Sequence, residues 1–474
     1  RLRRVVNPET GRERTSPTPI GDYALIGDCR TGALVSRQGD IDWLCLPRFD
    51  SPSVFAAVLG DGDHGRWRLR PTDPHATVTR HYDDDTFILI TRWETAQGVA
   101  EVHDLMPMDH RRLDVVRHID VLRRVIGIRG QVQFEQHLTM RFDYSRTIPW
   151  VRQVGTDTAP ALLAAAGPDA LIFRGAALSP DDHIHSGTVT VTEGEHVDLT
   201  MTWFPSHYEP PTPLKADTAI ERTRLWWQRW AGRIRVDGPH ADAIRRSLLI
   251  LRALSHYDTG GIVAAPTTSL PEQIGGTRNW DYRYVWLRDA ALTLQVLISH
   301  NFLDVAQQWR RWLLRAIAGD PDQLRIMYGI GGERDLPERE LPHLPGHAGS
   351  APVRIGNAAS DQYQADVIGE VMIALHDARR AGLQETIFSW SLQRALLGRV
   401  VDEHDRPDHG IWEIRGNLHH FTHSRVMVWA TFDRAVRAVE EHGLDGPVDE
   451  WRELRDLTRA DIDEHGVVNG HFTQ

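Results

Sequence analysis

The sequence predicts two successive layers, antiparallel β first and all-α afterwards, and three observations carry that prediction. From about Asp22 to Trp203 apolar residues alternate with polar ones, the period of strands with one buried face. Pro205, Pro210, Pro211 and Pro213 then interrupt the chain, since proline neither donates to a ladder nor continues a helix. From Ala241 onward apolar residues recur at spacings of three and four, the period of amphipathic helices. Strands in one block and helices in the next imply separate layers or domains, not an alternating sheet.

Within the first block Val132 and Phe134, Val189 and Val191, and the series Val197, Leu199, Met201, Trp203 each alternate with polar neighbours. Gly39-Asp40 separates two strand-like runs and predicts a tight hairpin turn. An all-β sandwich is the expected packing. After the prolines Ile220, Thr223, Trp227, Trp230 and Ile234 form one face of a helix, expected to bridge the domains. The expected bounds are a β domain at 17–212, a linker helix at 213–238 and a helical domain at 239–474.

In the helical block Val305, Trp309, Trp312, Leu313, Ala316 and Ile317 share a face, with Asp304 as the expected N-cap. Val367, Val371, Met372 and Leu375 make another, with Gly382 as terminator. Further helices are expected near 241–257, 289–300, 385–401, 425–442 and 450–464, the last two started by Ser424 and Asp449. Roughly seven helices are legible by period. Long loops at 259–288, 319–360 and 402–423 separate them, and loops of that length usually carry function.

At 474 residues the chain exceeds one ordinary core. Hydrophobic content of 41% and charged content of 25% are those of a soluble globular protein. A net charge of −11 speaks against nucleic acid or an anionic membrane as partner. Sixteen Trp mildly favour stacking on a sugar, and large cores use Trp as well. Two Cys, Cys29 and Cys45, support no disulfide framework and no metal cluster, so the cytoplasm is the expected compartment. Residues 1–16 are basic but lack the apolar region of a secretory signal, and no run approaches the ~18 apolar residues of a membrane span. The chain starts without Met and stops at His471-Phe472-Thr473-Gln474, so a fragment is expected.

The stretch from Gly275 to Asp289 concentrates chemistry: Trp280, Asp281, Tyr282, Arg283, Tyr284, Trp286, Arg288 and Asp289 fall within ten residues. Flat rings beside fixed charges suit a sugar, which stacks one face while its hydroxyls bond to ions. The alternative is an aromatic-rich corner whose Arg and Asp cap a helix. The loop Asp408-His409-Gly410-Ile411-Trp412-Glu413-Ile414-Arg415-Gly416 holds a candidate acid. A carboxyl against an indole loses hydration and its pKa rises, as a general acid near neutral pH requires. The alternative there is a Glu413–Arg415 salt bridge. Glu333, Arg334, Asp335, Glu338, Arg339 and Glu340 read as a solvated face, whereas Arg354 beside Gly356 is a ligand candidate. His419, His420 and His423 lack the order of a zinc helix, and Gly329, Gly331 and Gly332 follow no buried strand, so no metal site or dinucleotide loop is expected. Neither a P-loop nor a Gly-x-Ser-x-Gly elbow is present.

Together these loops resemble glycoside hydrolase family 15, the glucoamylases and bacterial trehalases. Tyr282, Tyr284, Trp286, Arg288 and Asp289 meet one family pattern, and Trp412 with Glu413 meets its general-acid loop. Residues 39–55 look like the trehalase-like N-terminal β domain, while 326–332, 352–357 and 420–429 resemble the bacterial trehalase branch. The resemblance implies an N-terminal β-supersandwich and an (α/α)6 toroid, here incomplete at its C-terminal end. It implies Glu413 as general acid and sugar contacts from Tyr282, Trp286, Arg288, Asp289, Arg354, Trp412 and Arg415. It implies inversion, with a water-activating base lying beyond Gln474, and no carboxylate of 1–474 takes that role. Where fungal members carry a second acidic residue after the acid, Ile414 and Arg415 stand here, which leaves trehalose and α-glucan both open.

The expected activity is an inverting exo-α-glucosidase, trehalase ahead of glucoamylase. The alternatives are a non-catalytic sugar-binding remnant and a phosphorolytic glycosidase. The expected partner is a small sugar, with homo-oligomerisation open. No cofactor is required by the sequence, and phosphate and magnesium dependence enter only through the family resemblance.

Overall fold

The strand Ile119–Thr139 organises the β part of the chain. Residues 119–126 of this strand pair with 196–203 and residues 122–130 with Gly98–Leu105, whereas residues 131–138 pair with Ile184–Thr192 and residues 134–139 with Arg66–Pro71. It therefore changes partners along its length, with a register irregularity opposite Gly127–Arg129 and a positive φ at Gly130. A side chain at Gly127 would meet the Thr192 carbonyl oxygen at 1.9 Å, which is why this position needs glycine.

The computed structural model describes residues 17–108, 118–318 and 323–474, with the backbone alone of 5–6 and 13–14. The basic stretch 1–16 lies otherwise outside the described residues, as does the start of the loop expected at 319–360. The chain separates into two units. The first comprises Arg1–Ala253, Pro266–Trp280 and Glu340–Arg354, the second Leu254–Ala265, Asp281–Arg339 and Ile355–Gln474.

In the first unit the alternation seen in the sequence becomes cross-strand pairing: Val132 faces Val191 and Phe134 faces Val189. Val197, Leu199, Met201 and Trp203 face Val125, Arg123, Val121 and Ile119. Val132, Phe134, Val189, Val191, Leu199, Met201 and Trp203 join Trp67, Leu69, Phe55 and Leu171 in one core of residues under a tenth exposed, and Val197 packs against it partly buried, each large side chain contributing about 1.5–3 kcal/mol on burial. The Gly39 turn is as expected, with φ +83° and its N–H donating to the Ser36 carbonyl. Arg123, fully buried, donates to Asp104 at 2.7 Å and to the Gly39 and Trp67 carbonyls. Cys29 and Cys45 are both buried.

Helix α1 (Ala216–Ala231) and α2 (Ala241–Ala253) also fall in this unit. Ala216 and Ile220 of α1 pack on Ile88, Leu105 and Leu122, and Thr223 accepts from the Met108 N–H. Arg246 of α2 stacks on Tyr82 and donates to the Thr86 carbonyl. The helix expected as a bridge thus flanks the strands.

The second unit is helical: α3 (Leu287–Ser299), α4 (Leu303–Ala316), α5 (Asp366–Arg380), α6 (Ile387–Glu403), α7 (Thr422–His442) and α8 (Val448–His465). With α2, seven helices follow Ala241 among the described residues, as the period predicts. The predicted apolar faces are the buried ones: Val305, Trp309, Trp312, Leu313 and Ala316 on α4, and Val367, Val371, Met372 and Leu375 on α5. Gly382 has φ +96° just past the end of α5 and terminates it. The expected starts are displaced. Phe302, not Asp304, precedes α4; α7 begins at Thr422 and α8 at Val448, ahead of Ser424 and Asp449. Those polar residues lie inside the first turn, where Asp449 and Asp304 favour the helix dipole and Ser424 donates to Asp408. Helix α5 packs against α3 and α7, and α7 against α8.

Candidate active site

The first turns of α3, α5 and α7 supply Arg288, Asp289, Asp366 and His423. Val285–Trp286 pairs with Met327–Tyr328, so the chain reaches α3 as extended backbone and turns helical directly after Trp286. Arg288 and Asp289 therefore sit in the first turn of α3. Upstream, Asp281 and Arg283 form a fully buried pair at 2.7 Å, and Asp281 also accepts from the Gly356 N–H. Of the two Arg–Asp pairs in this stretch, one fixes the backbone and the other faces the site. Tyr282 and Tyr284 place their rings 5.8 and 6.4 Å from that of Trp286.

The loop after α6 brings in Glu413. Asp408, buried, accepts from the Ala365 N–H at 2.9 Å and from Ser424 Oγ at 2.8 Å, pinning the loop to the starts of α5 and α7. Glu413 adopts φ +53°, uncommon for a residue with a side chain, and its N–H donates to the Gly410 carbonyl. Backbone in this region costs of order 1–3 kcal/mol and is concentrated at functional sites.

The Glu413 carboxylate Oε1 accepts from Trp286 Nε1 at 2.9 Å and from Arg288 Nη2 at 3.4 Å. Arg288 Nη1 donates to Gln364 Oε1, Gln364 Nε2 to Gln362 Oε1, and Gln362 Nε2 to the Glu413 carbonyl, a closed circuit that orients both ends of residue 413. Asp289 and Asp366 lie at 3.5 and 3.8 Å from the same guanidinium. One turn beyond Asp366, Glu370 shares His423 with it, at 3.9 and 3.5 Å.

Burial pushes the Glu413 carboxyl above the usual carboxylate range, Arg288 and the Trp286 N–H pull it back, and Asp289 adds to the rise. Burial likewise raises Asp289 and Glu370. For Arg288 burial alone would lower the pKa, but Asp289, Asp366 and Glu413 together raise it, so it stays charged. His423 is raised by its contact with Asp366 against the opposing effect of burial. A carboxyl raised by burial and set beside a fixed cation has the character of a general acid.

Glu413, Trp286, Arg288 and Asp289 come together as the sequence suggests, and Tyr282, 36% exposed, borders them. The indole beside the acid is Trp286, 2% exposed, whereas Trp412 is 76% exposed. Arg415 pairs with Glu338 at 2.7 Å. Arg354 belongs to the first unit, where it stacks on Trp280 at 4.7 Å and donates to the Thr277 carbonyl. Gln364, Asp366, Glu370 and His423 escaped sequence reasoning. Asp366 and Glu370, four apart ahead of an apolar helix face, were the readable signal. Among the described residues no three His, Cys, Asp or Glu converge as metal ligands.

Comparison with known proteins adds to this geometry. The sequence model described as Glycosyl hydrolases family 15 matches residues 238–474, and that described as Trehalase-like, N-terminal matches residues 12–172. A trehalase of Mycolicibacterium smegmatis is 34% identical over 96% of this chain and 71% of its own length. A trehalase of Thermoplasma acidophilum is 31% identical over 90% of this chain and 73% of its own. Among solved structures, a bacterial glucoamylase complexed with acarbose has a TM-score of 0.64 at 10% identity, covering 94% of this chain and 66% of the other. That likeness concerns the fold alone.

Proposed function

We propose, from the premise that this chain belongs to glycosyl hydrolases family 15, that it hydrolyses trehalose to glucose with inversion, Glu413 giving its proton to the glycosidic oxygen. The observation that carries this reading is the Glu413 carboxyl itself, raised by burial and held between Trp286 and Arg288. Arg288 and Asp289 grip hydroxyls of one glucose unit, and Tyr282 and Trp286 line its apolar face. A hydrogen bond to a charged group contributes about 1.5–3 kcal/mol, enough to select hydroxyl geometry. The trehalase relatives favour trehalose over α-glucan. Inversion needs a second carboxylate at ~6.5–9.5 Å from the acid to activate water, and we assign that role to no residue of 1–474. Trp412, largely exposed, and Arg415, paired with Glu338, are left out of the glucose grip. The helices are read as part of an (α/α)6 toroid, a reading supported by the glucoamylase fold likeness. The scarcity of thiols supports a cytoplasmic site of action.

The test is turnover of trehalose and maltose by the protein and by Glu413→Gln. Trehalose is expected to yield free glucose faster than maltose does, and the substitution to lower kcat on trehalose at least about 10²-fold. Undiminished turnover in the variant refutes the assigned acid, and glucose phosphate as product refutes hydrolysis.

A further inference from the structure

Three carboxylates share one guanidinium in this site. Glu413 Oε1 and Asp289 Oδ2 approach Arg288 Nη2 at 3.4 and 3.5 Å, and Asp366 Oδ2 approaches Nη1 at 3.8 Å. Asp366 is fully buried at the first position of α5, and neither of its oxygens has a hydrogen-bond partner among the described residues. Its neighbours are ionic: Arg288 on one side and His423 Nε2, at 3.5 Å, on the other. A buried carboxylate without hydrogen bonds is costly, and packing gains nothing from it that a neutral side chain could not supply. Its distinctive contribution is charge, delivered behind Arg288.

Resting on Glu413 as the acid, we propose that Asp366 is a positioning residue: it holds the rear of the Arg288 guanidinium and thereby weakens that cation's hold on Glu413. The physical consequence has one sign. An unopposed Arg288 stabilises the Glu413 anion and strips the acid of its proton at lower pH. A carboxylate behind Arg288 takes up part of that field, and its own charge further disfavours a second anion nearby. The charged groups facing this pair are Arg288 and Asp289 from α3, Glu370 from α5, His423 from α7 and Asp408 from the loop. His423 opposes Asp366 as Arg288 does, so removing it leaves Asp366 freer to act on Arg288.

The experiment is the pH dependence of kcat on trehalose for the protein, Asp366→Asn and His423→Gln, with Glu413→Gln as reference. A general acid sets the alkaline limb, because activity is lost once it is deprotonated. Asp366→Asn is expected to move that limb down by about 0.5–1 pH unit, and His423→Gln to move it up. A folded Asp366→Asn protein with slower turnover but an unmoved limb overturns the proposal, leaving Asp366 a structural role. If Asp366→Asn does not fold, His423→Gln decides, and an unmoved or lowered limb overturns it. Full turnover by Glu413→Gln would instead sink the acid assignment itself, so the two failures are distinguishable.

Discussion

At the residue scale the site depends on which group touches Glu413. The loop sequence pointed to Trp412 as its apolar wall, because the two are adjacent, but the left-handed turn at residue 413 sends Trp412 to solvent and the carboxyl to Trp286. Sequence adjacency carries no information about a partner 127 positions away. Glu413 and the Arg288–Asp289 pair were legible because their residue types and spacing are chemically distinctive. Asp366 and Gln364 were not, since a polar residue at a helix start ordinarily reads as a cap. The geometry gives Trp286 a defined electronic role: its N–H favours the charged form of Glu413. Trp286→Phe is therefore expected to raise the alkaline limb of the pH–rate profile while lowering kcat about tenfold, the loss of one charge-assisted hydrogen bond. A limb that moves down, read from the same kinetic profile, contradicts that role.

At the scale of elements, helix faces were readable and helix starts were not. The buried stripes of α4 and α5 follow the 3.6-residue period closely, because burial enforces it. The starts at Phe302, Phe421 and Pro447 carry no side-chain cap, so a capping Asp or Ser marks them two to three residues late. The α5–α7 contact turns on Gly369, where an added Cβ would meet the Met427 carbonyl oxygen at 2.3 Å. Main-chain atoms cannot rotate away, so Gly369→Ala should force the helices apart and cost about 1–3 kcal/mol. A lowered thermal midpoint together with reduced kcat is the expected outcome, since α5 carries Asp366 and α7 carries His423. An unchanged midpoint would mean that the contact is softer than the backbone geometry states.

At the scale of the whole molecule, the sequence separated strands from helices correctly, because the two periods differ and a run of prolines divides them. It did not show that α1 and α2 pack with the strands, nor that segments 266–280 and 340–354 return to that unit. Such contacts join residues far apart in the chain and leave no periodic trace. Charge in the helical unit also sets its response to pH. His423 has a raised pKa in the folded state, so its ionic contacts contribute stability fully below the unfolded value of about 6.5 and lose it as pH rises through the higher folded value. The stability difference between the protein and His423→Gln, from urea unfolding, should therefore be larger at about pH 6 than at about pH 9. Inversion makes a second global prediction. Cleavage of α,α-trehalose with inversion at one centre releases one β- and one α-glucose, so newly formed glucose seen by proton NMR should begin as an equal mixture, whereas retention gives the α anomer alone.

The most direct test of Glu413 as proton donor uses a leaving group that needs no proton. Glu413→Gln should cleave α-glucosyl fluoride at close to the parent rate while losing at least about 10²-fold on trehalose. Equal loss on both substrates, or none on trehalose, would contradict it.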